Sequence, residues 1–153
     1  MEAGFSYQEA PKNAQQLGYA EADPRSDVEG CDTLAKVLIL SNVIMEGRLK
    51  REDVACQDIT DITLPEIEKT KTGGKRWKLI GELSPKQGRI SAQVHPVKLP
   101  LADPLAHVMG VTNAIIIDTN LLRSATIVGA GAGKKETGYA IFSNLLEIDR
   151  SSS

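Results

Sequence analysis

Lys36 and Asp32 are the residues of this chain best placed, by type and spacing, to move a proton. An amine can give a proton to a developing alkoxide or take one from a hydroxyl. A carboxylate four residues earlier lies on the same side of a helix and can hold it. The acidic residues Glu21, Asp23 and Asp27 crowd the chain just ahead of the pair. Two readings of the pair stand open. One is an ordinary i,i+4 pair on a solvated face, worth about 0.3–0.5 kcal/mol. The other is a charged pair kept in a partly buried cleft and used for proton transfer.

The pair needs a helix to hold it. Asp23-Pro24 marks a turn, because proline fixes its own φ and pushes the preceding residue out of the α region. Ser26 with Glu29 makes a capping-box pattern, and Asp27 and Glu29 suit the positive end of a helix dipole. These signals predict a helix from near Asp27 to about Glu46, with Gly47 just past its end. Val28, Asp32, Ala35, Lys36, Ile39 and Val43 share one side of it. After Lys36 almost every residue is apolar (Val37, Leu38, Ile39, Leu40, Val43, Ile44, Met45). A helix apolar all round is expected to be buried, with Asp32 and Lys36 on a side that otherwise reads as core.

The remaining elements follow from caps, turns and periodicity. Ser6 with Glu9 opens an earlier helix that ends at Gly18, with Pro11 inside it. Arg48 to Asp53 reads as a connection or short helical turn. Thr63 with Glu66 opens a helix that tolerates Pro65 early and ends at Gly73-Gly74. Trp77 to Leu83 and Arg89 to His95 read as an antiparallel hairpin across the turn Ser84-Pro85-Lys86-Gln87-Gly88, with Ile90, Ala92 and Val94 on one face. Asp103-Pro104 starts a short helix reaching Gly110. Val111 to Asp118 and Ser124 to Val128 form a second hairpin, and a last helix runs from about Glu136 to Ile148. Arg150 and the serines after it are expected to fray. The order predicts an α+β fold, with a largely antiparallel sheet covered by helices and closed by a C-terminal helix. One domain is expected over residues 1–150, with 151–153 as a disordered tail.

Composition narrows the class. The chain has 153 residues, one domain's worth, and is 41% hydrophobic and 25% charged, ordinary for a globular protein. Aromatics are scarce at 4%, so the core must rest on aliphatic side chains. A net charge of −2 with no basic block argues against nucleic acid or an anionic membrane as partner. No apolar run approaches the ~20 residues of a membrane span, and Met1 leads into no signal peptide. Cys31 and Cys56 stand at no metal or redox spacing, and Cys31 reads as a small apolar residue. His95 and His107 have no partner at ligand spacing, so no metal site is expected. A reducing, cytoplasmic setting fits.

Gly129-Ala130-Gly131-Ala132-Gly133-Lys134 after a strand invites a phosphate-loop reading. The dinucleotide fingerprint needs a following helix, a second strand and an acidic residue about 20 positions on, and only 20 residues follow Gly133. The Walker pattern fails at Val128 and Lys135. Two lesser readings stay open: a tight strand-to-helix turn, or backbone N–H groups at a helix start that meet an anion or a cofactor edge.

The ordered set G-Y-A-E-x-D-P-x-x-D-x-x-G-x-D-x-x-x-K, here Gly18 to Lys36, resembles the signature of the homoserine dehydrogenases. A second segment agrees: Val94-His95-Pro96-Val97, Leu99-Pro100, Asp103-Pro104-Leu105-Ala106, then Gly110 and Asn113-Ala114. A third is Val128 to Gly133 with Thr137 and the closing helix. Pro11 departs from the family, which usually has a larger apolar residue there. The resemblance implies an NAD(P)-dependent oxidoreductase that interconverts L-homoserine and L-aspartate 4-semialdehyde. It implies Lys36 as proton donor and acceptor, Asp32 as the residue that orients substrate and lysine, Glu21 as the ligand of the substrate ammonium, and Asp27 as a further polar contact. Gly131 and Gly133 would touch the cofactor, Gly133 being the better match. NADP or NAD would be held mainly by a dinucleotide-binding domain that precedes this region in the family. That domain and a further lysine the family uses would lie outside this chain, as in a partial gene product, and the chain alone would then be inactive. A homodimer formed through the sheet is also implied. The alternative is a non-catalytic homoserine-binding or dimerisation module, or a sensor of amino acids.

Overall fold

The computed structural model describes residues 29–152. The expected first helix, the turn at Asp23-Pro24, and Ser26, Glu21 and Asp27 lie outside the described residues. The element order is α1 (Cys31–Ile44), a 3-10 turn (Arg51–Asp53), β1 (Ala55–Cys56), α2 (Leu64–Thr72), β2 (Lys75–Lys86), β3 (Arg89–Pro100), a second 3-10 turn (Pro104–His107), β4 (Thr112–Thr119), β5 (Arg123–Ala130) and α3 (Lys134–Ser151). The fold is α+β with mostly antiparallel pairing, as expected, and α3 is its C-terminal helix, with no buried residue of its own. The strands form two sheets, a three-stranded one in the order β1-β3-β2 and the separate β4-β5 hairpin.

The first hairpin is longer than its sequence signals. β2 and β3 pair without interruption from Lys86↔Arg89 to Lys75↔Pro100. The turn shrinks to Gln87 and Gly88, at φ 52 and 77, the both-positive geometry of a type I′ hairpin turn. Pro85 had suggested a longer turn. It is tolerated inside β2 because β2 is an edge strand, where a missing N–H costs no ladder bond on the open side. β1 adds only Ala55↔Gln93 and Cys56↔Val94, in parallel.

α1 lies across this hairpin. Leu34, Val37 and Ser41 are its buried residues, spaced three and four apart as one helical stripe. Leu34 and Val37 join Val54, Ala92 and Val94 as the core cluster, with Leu38, Leu49, Leu79 and Leu83 packed against it. Gly81 permits the close approach: a Cβ there would run into the Val37 side chain. The expectation of burial all round α1 is therefore overturned. Ile39 and Val43, on the side of Asp32 and Lys36, are 61% and 76% exposed, because the hairpin covers one face only.

The helix ends also differ from expectation. α1 begins at Cys31, not near Asp27, after Gly30 in a left-handed turn at φ 75. It ends at Ile44, and the left-handed residue beyond it is Glu46 rather than Gly47. The turn after Asp103 stops at His107 instead of Gly110, with the Asp103 carboxylate accepting the Leu105 N–H at 2.8 Å. α3 starts at Lys134 and runs through Arg150 to Ser151, past the residues expected to fray.

The Thr63–Glu66 capping box forms. Glu66 Oε2 accepts the Thr63 N–H at 2.9 Å and the Thr63 hydroxyl at 2.7 Å. Those two bonds, backbone first, hold the Glu66 carboxyl below its ordinary pKa. A depressed folded-state pKa means stability that is complete above the unfolded glutamate value and is lost as pH falls through the folded one. The urea midpoint should therefore decline through that acidic window, and Glu66→Gln should flatten its share of the decline. An unchanged slope in that variant would remove Glu66 from the account.

Candidate functional site

The first two turns of α1 carry the expected pair. Lys36 Nζ donates to Asp32 Oδ2 at 2.6 Å, and the two side chains are 44% and 51% exposed. The i,i+4 spacing brings them together, and Asp32 also sits in the first helical turn, where a carboxylate suits the dipole. At this exposure such a pair contributes about 0.3–0.5 kcal/mol to folding. Its larger effect is positional: the carboxylate fixes where the ammonium points. Of the two readings left open by the sequence, the cleft is not formed by the described residues. Asp32 and Lys36 stand on the side of α1 turned away from the hairpin.

Gly131 and Gly133 occupy the link from β5 to α3, on the second hairpin. The Gly131 N–H donates to the Val111 carbonyl at 2.7 Å, and a Cβ at Gly131 would strike the Asn113 side chain. Gly133 caps α3 at φ 146 and ψ 141, with no side-chain cap, a conformation that favours glycine. The structure thus joins Asp32 to Lys36 and places the two glycines in the link that follows the second hairpin. Glu21 and Asp27 lie outside the described residues.

The histidines make local contacts. His107 Nε2 meets the Leu101 carbonyl at 2.6 Å. His95 Nε2 lies 3.4 Å from Glu82 Oε1, ion-pair range without hydrogen-bond geometry. Among the described residues no three His, Cys, Asp or Glu side chains are grouped to hold a metal ion. No helix among them is long and apolar enough to cross a membrane.

One grouping had no signal in the sequence. Arg51, 20 residues from Cys31, donates from Nη2 to Cys31 Sγ at 3.7 Å. Cys56 Sγ approaches the Glu29 carbonyl at 3.6 Å. Local spacing could not reveal these contacts, because β1 reaches the start of α1 only through its pairing with β3.

Comparison with known proteins covers nearly the whole chain. The homoserine dehydrogenase family model matches residues 1–146. The NAD(+)-dependent homoserine dehydrogenase of Pseudomonas canavaninivorans is 43% identical over 152 residues, which is 99% of this chain and 43% of that protein. The solved homoserine dehydrogenase of Thiobacillus denitrificans superposes with a TM-score of 0.87 at 32% identity, over 97% of this chain and 35% of that one. The S. aureus enzyme gives 0.84 at 35% identity, over 95% of this chain and 37% of that one. The chain therefore spans less than half the length of each of these relatives. With the match running through the α1 pair, both hairpins and most of the closing helix, the chain belongs to the homoserine dehydrogenase family.

Proposed function

We propose that this chain is the substrate-binding and catalytic portion of an NAD(P)-dependent homoserine dehydrogenase. It interconverts L-homoserine and L-aspartate 4-semialdehyde, in the cytoplasm, as part of threonine and methionine biosynthesis. The observation that carries the reading is the Asp32–Lys36 pair, an ammonium held at 2.6 Å on an open helix face within the matched region. Oxidation of an alcohol to an aldehyde removes a hydride from carbon and a proton from oxygen. Lys36 Nζ takes that proton when deprotonated and returns it in the reductive direction. Asp32 holds the amine and orients the substrate. Glu21 binds the substrate ammonium by opposite charge, and Asp27 adds a polar contact.

The nicotinamide cofactor supplies the hydride acceptor or donor. The β5–α3 link fits one edge of such a group. Its residues are small, the start of α3 has no side-chain cap, and Lys134 and Lys135 stand there with the Glu136 carboxylate, which lies against Gly133. Backbone N–H groups of this kind suit an anionic or carbonyl edge. Gly131 and Gly133 would make that contact, and the spacing of the link leaves the rest of the dinucleotide to be held elsewhere. A homodimer formed through the sheet is part of the proposal, supported by the exposed apolar side chains of the second hairpin at Ile115, Ile127 and Val128.

The test is to fuse the chain behind the dinucleotide-binding domain of a family member and follow reduction of NAD or NADP. Homoserine-dependent turnover by the fusion, with none by the chain alone, is the expected result. A folded fusion that binds homoserine without turnover would replace this reading with the binding-module one.

A further inference from the structure

We propose that Cys31 and Cys56 form a redox-sensitive modification site, in which a hydroperoxide oxidises the two thiols to a disulfide that ties the start of α1 to β1.

The geometry rests on three contacts. The Cys56 sulfur approaches the Glu29 carbonyl at 3.6 Å. A Cβ built on Gly30 would stand 3.2 Å from the same sulfur. Cys56 therefore lies against the backbone of the two residues that precede Cys31. Cys31 follows Gly30 by one peptide step, about 3.8 Å between Cα atoms, so Cys56 is a neighbour of Cys31 across the contact between β1 and the start of α1, and the proposed disulfide brings their Cα atoms within the roughly 4.4–6.8 Å that such a bond requires. Third, Arg51 Nη2 donates to Cys31 Sγ at 3.7 Å, and Arg51 precedes β1 by a short turn. Both thiols are free.

The environments divide the roles. The Arg51 guanidinium is the cation in contact with Cys31, and its own pKa is raised, first by that hydrogen bond. Burial, then the charge of Cys31, pushes the Cys56 thiol up, with Arg51 opposing. A cation in contact with a sulfur favours attack by that sulfur, so the Arg51 contact assigns attack to Cys31 and resolution to Cys56. The Cys31 thiolate attacks one peroxide oxygen: an S–O bond forms, the O–O bond breaks, and water or an alcohol leaves. The Cys56 thiol then attacks the sulfenic sulfur: the S–S bond forms, the S–O bond breaks, and a second water leaves. Two thiols are oxidised and one peroxide is reduced, with both thiol protons ending on the departing oxygens.

The site stands independently of the proposed reaction. Its effect on the fold is local: the tie fixes the first residue of the helix that carries Asp32 and Lys36.

The experiment treats the purified chain with a slight excess of hydrogen peroxide. It then reads free thiols, disulfide-linked peptides, non-reducing mobility and Tm. The expected result is loss of both thiols, a linked peptide holding Cys31 and Cys56 within one chain, and a Tm raised over the reduced form, all reversed by dithiothreitol. Cys56→Ser should stop at a dimedone-trapped sulfenic acid on Cys31, and Arg51→Gln should slow that trapping several-fold. Survival of both thiols would overturn the proposal. So would cross-links found only between chains, or trapping at Cys31 as fast without Arg51 as with it.

Discussion

Replacing Lys36 with alanine, in the chain fused behind a dinucleotide-binding domain, should lower kcat for homoserine oxidation about 10²–10⁴-fold, the span of a lost general acid–base group. The pair is about half exposed, so the folding cost of breaking it is about 0.3–0.5 kcal/mol. A large loss of turnover with an almost unchanged urea midpoint therefore reports chemistry. Lys36→Arg sharpens the test. Arginine keeps the positive charge beside Asp32 but does not give up its proton in proteins, so kcat should stay low although the charge is retained. Asp32→Asn should cost less in kcat than Lys36→Ala and should also raise KM, since it frees the amine without deleting it. The measurement is steady-state kinetics on folded variants. Near-normal kcat in Lys36→Ala would end the proton-transfer role.

The sequence made the Asp32–Lys36 contact legible because it is local. Four residues on a helix bring two side chains together whatever surrounds them. The fate of that helix was less legible, since its apolar content gave no sign of which faces would be covered. Leu34, Val37 and Ser41 found the hairpin, and Ile39 and Val43 did not. The hairpin itself was recognisable from its alternation at Ile90, Ala92 and Val94. Its length was not, because Pro85 reads as part of the turn and the second strand reads as ending at His95, before Pro96, and only the sheet order shows why prolines are tolerated there. β2 is an edge strand, and β1 covers the other side of β3 at Gln93 and Val94 alone. A two-residue parallel strand such as β1 carries no periodicity, so the meeting of Cys56 with the start of α1 was invisible too. The capping box at Thr63 was legible, whereas the start of α1 was misplaced. A left-handed Gly30 breaks the chain just before Cys31, and no spacing rule separates that glycine from a helical one.

The unequal faces of α1 make a second large effect predictable. Leu34→Ala should destabilise the chain by about 2–5 kcal/mol, the transfer and cavity cost of truncating a buried leucine. Leu34 is 2% exposed and packs with Val37, Val54, Ala92 and Val94. Domains are stable by about 5–15 kcal/mol in total, so this loss should appear as a much lower urea midpoint at nearly constant slope. Val43, on the same helix, is 76% exposed. Val43→Ala should shift the midpoint by no more than about 0.5 kcal/mol, as other surface changes do. The comparison separates two states of the outer face. If Val43→Ala proves as costly as Leu34→Ala, that face is covered in solution. When a second copy provides the cover, the midpoint must rise with protein concentration by mass action. A small effect that is independent of concentration leaves Ile39 and Val43 open, and the hairpin face of α1 then supplies the helix's whole share of the core.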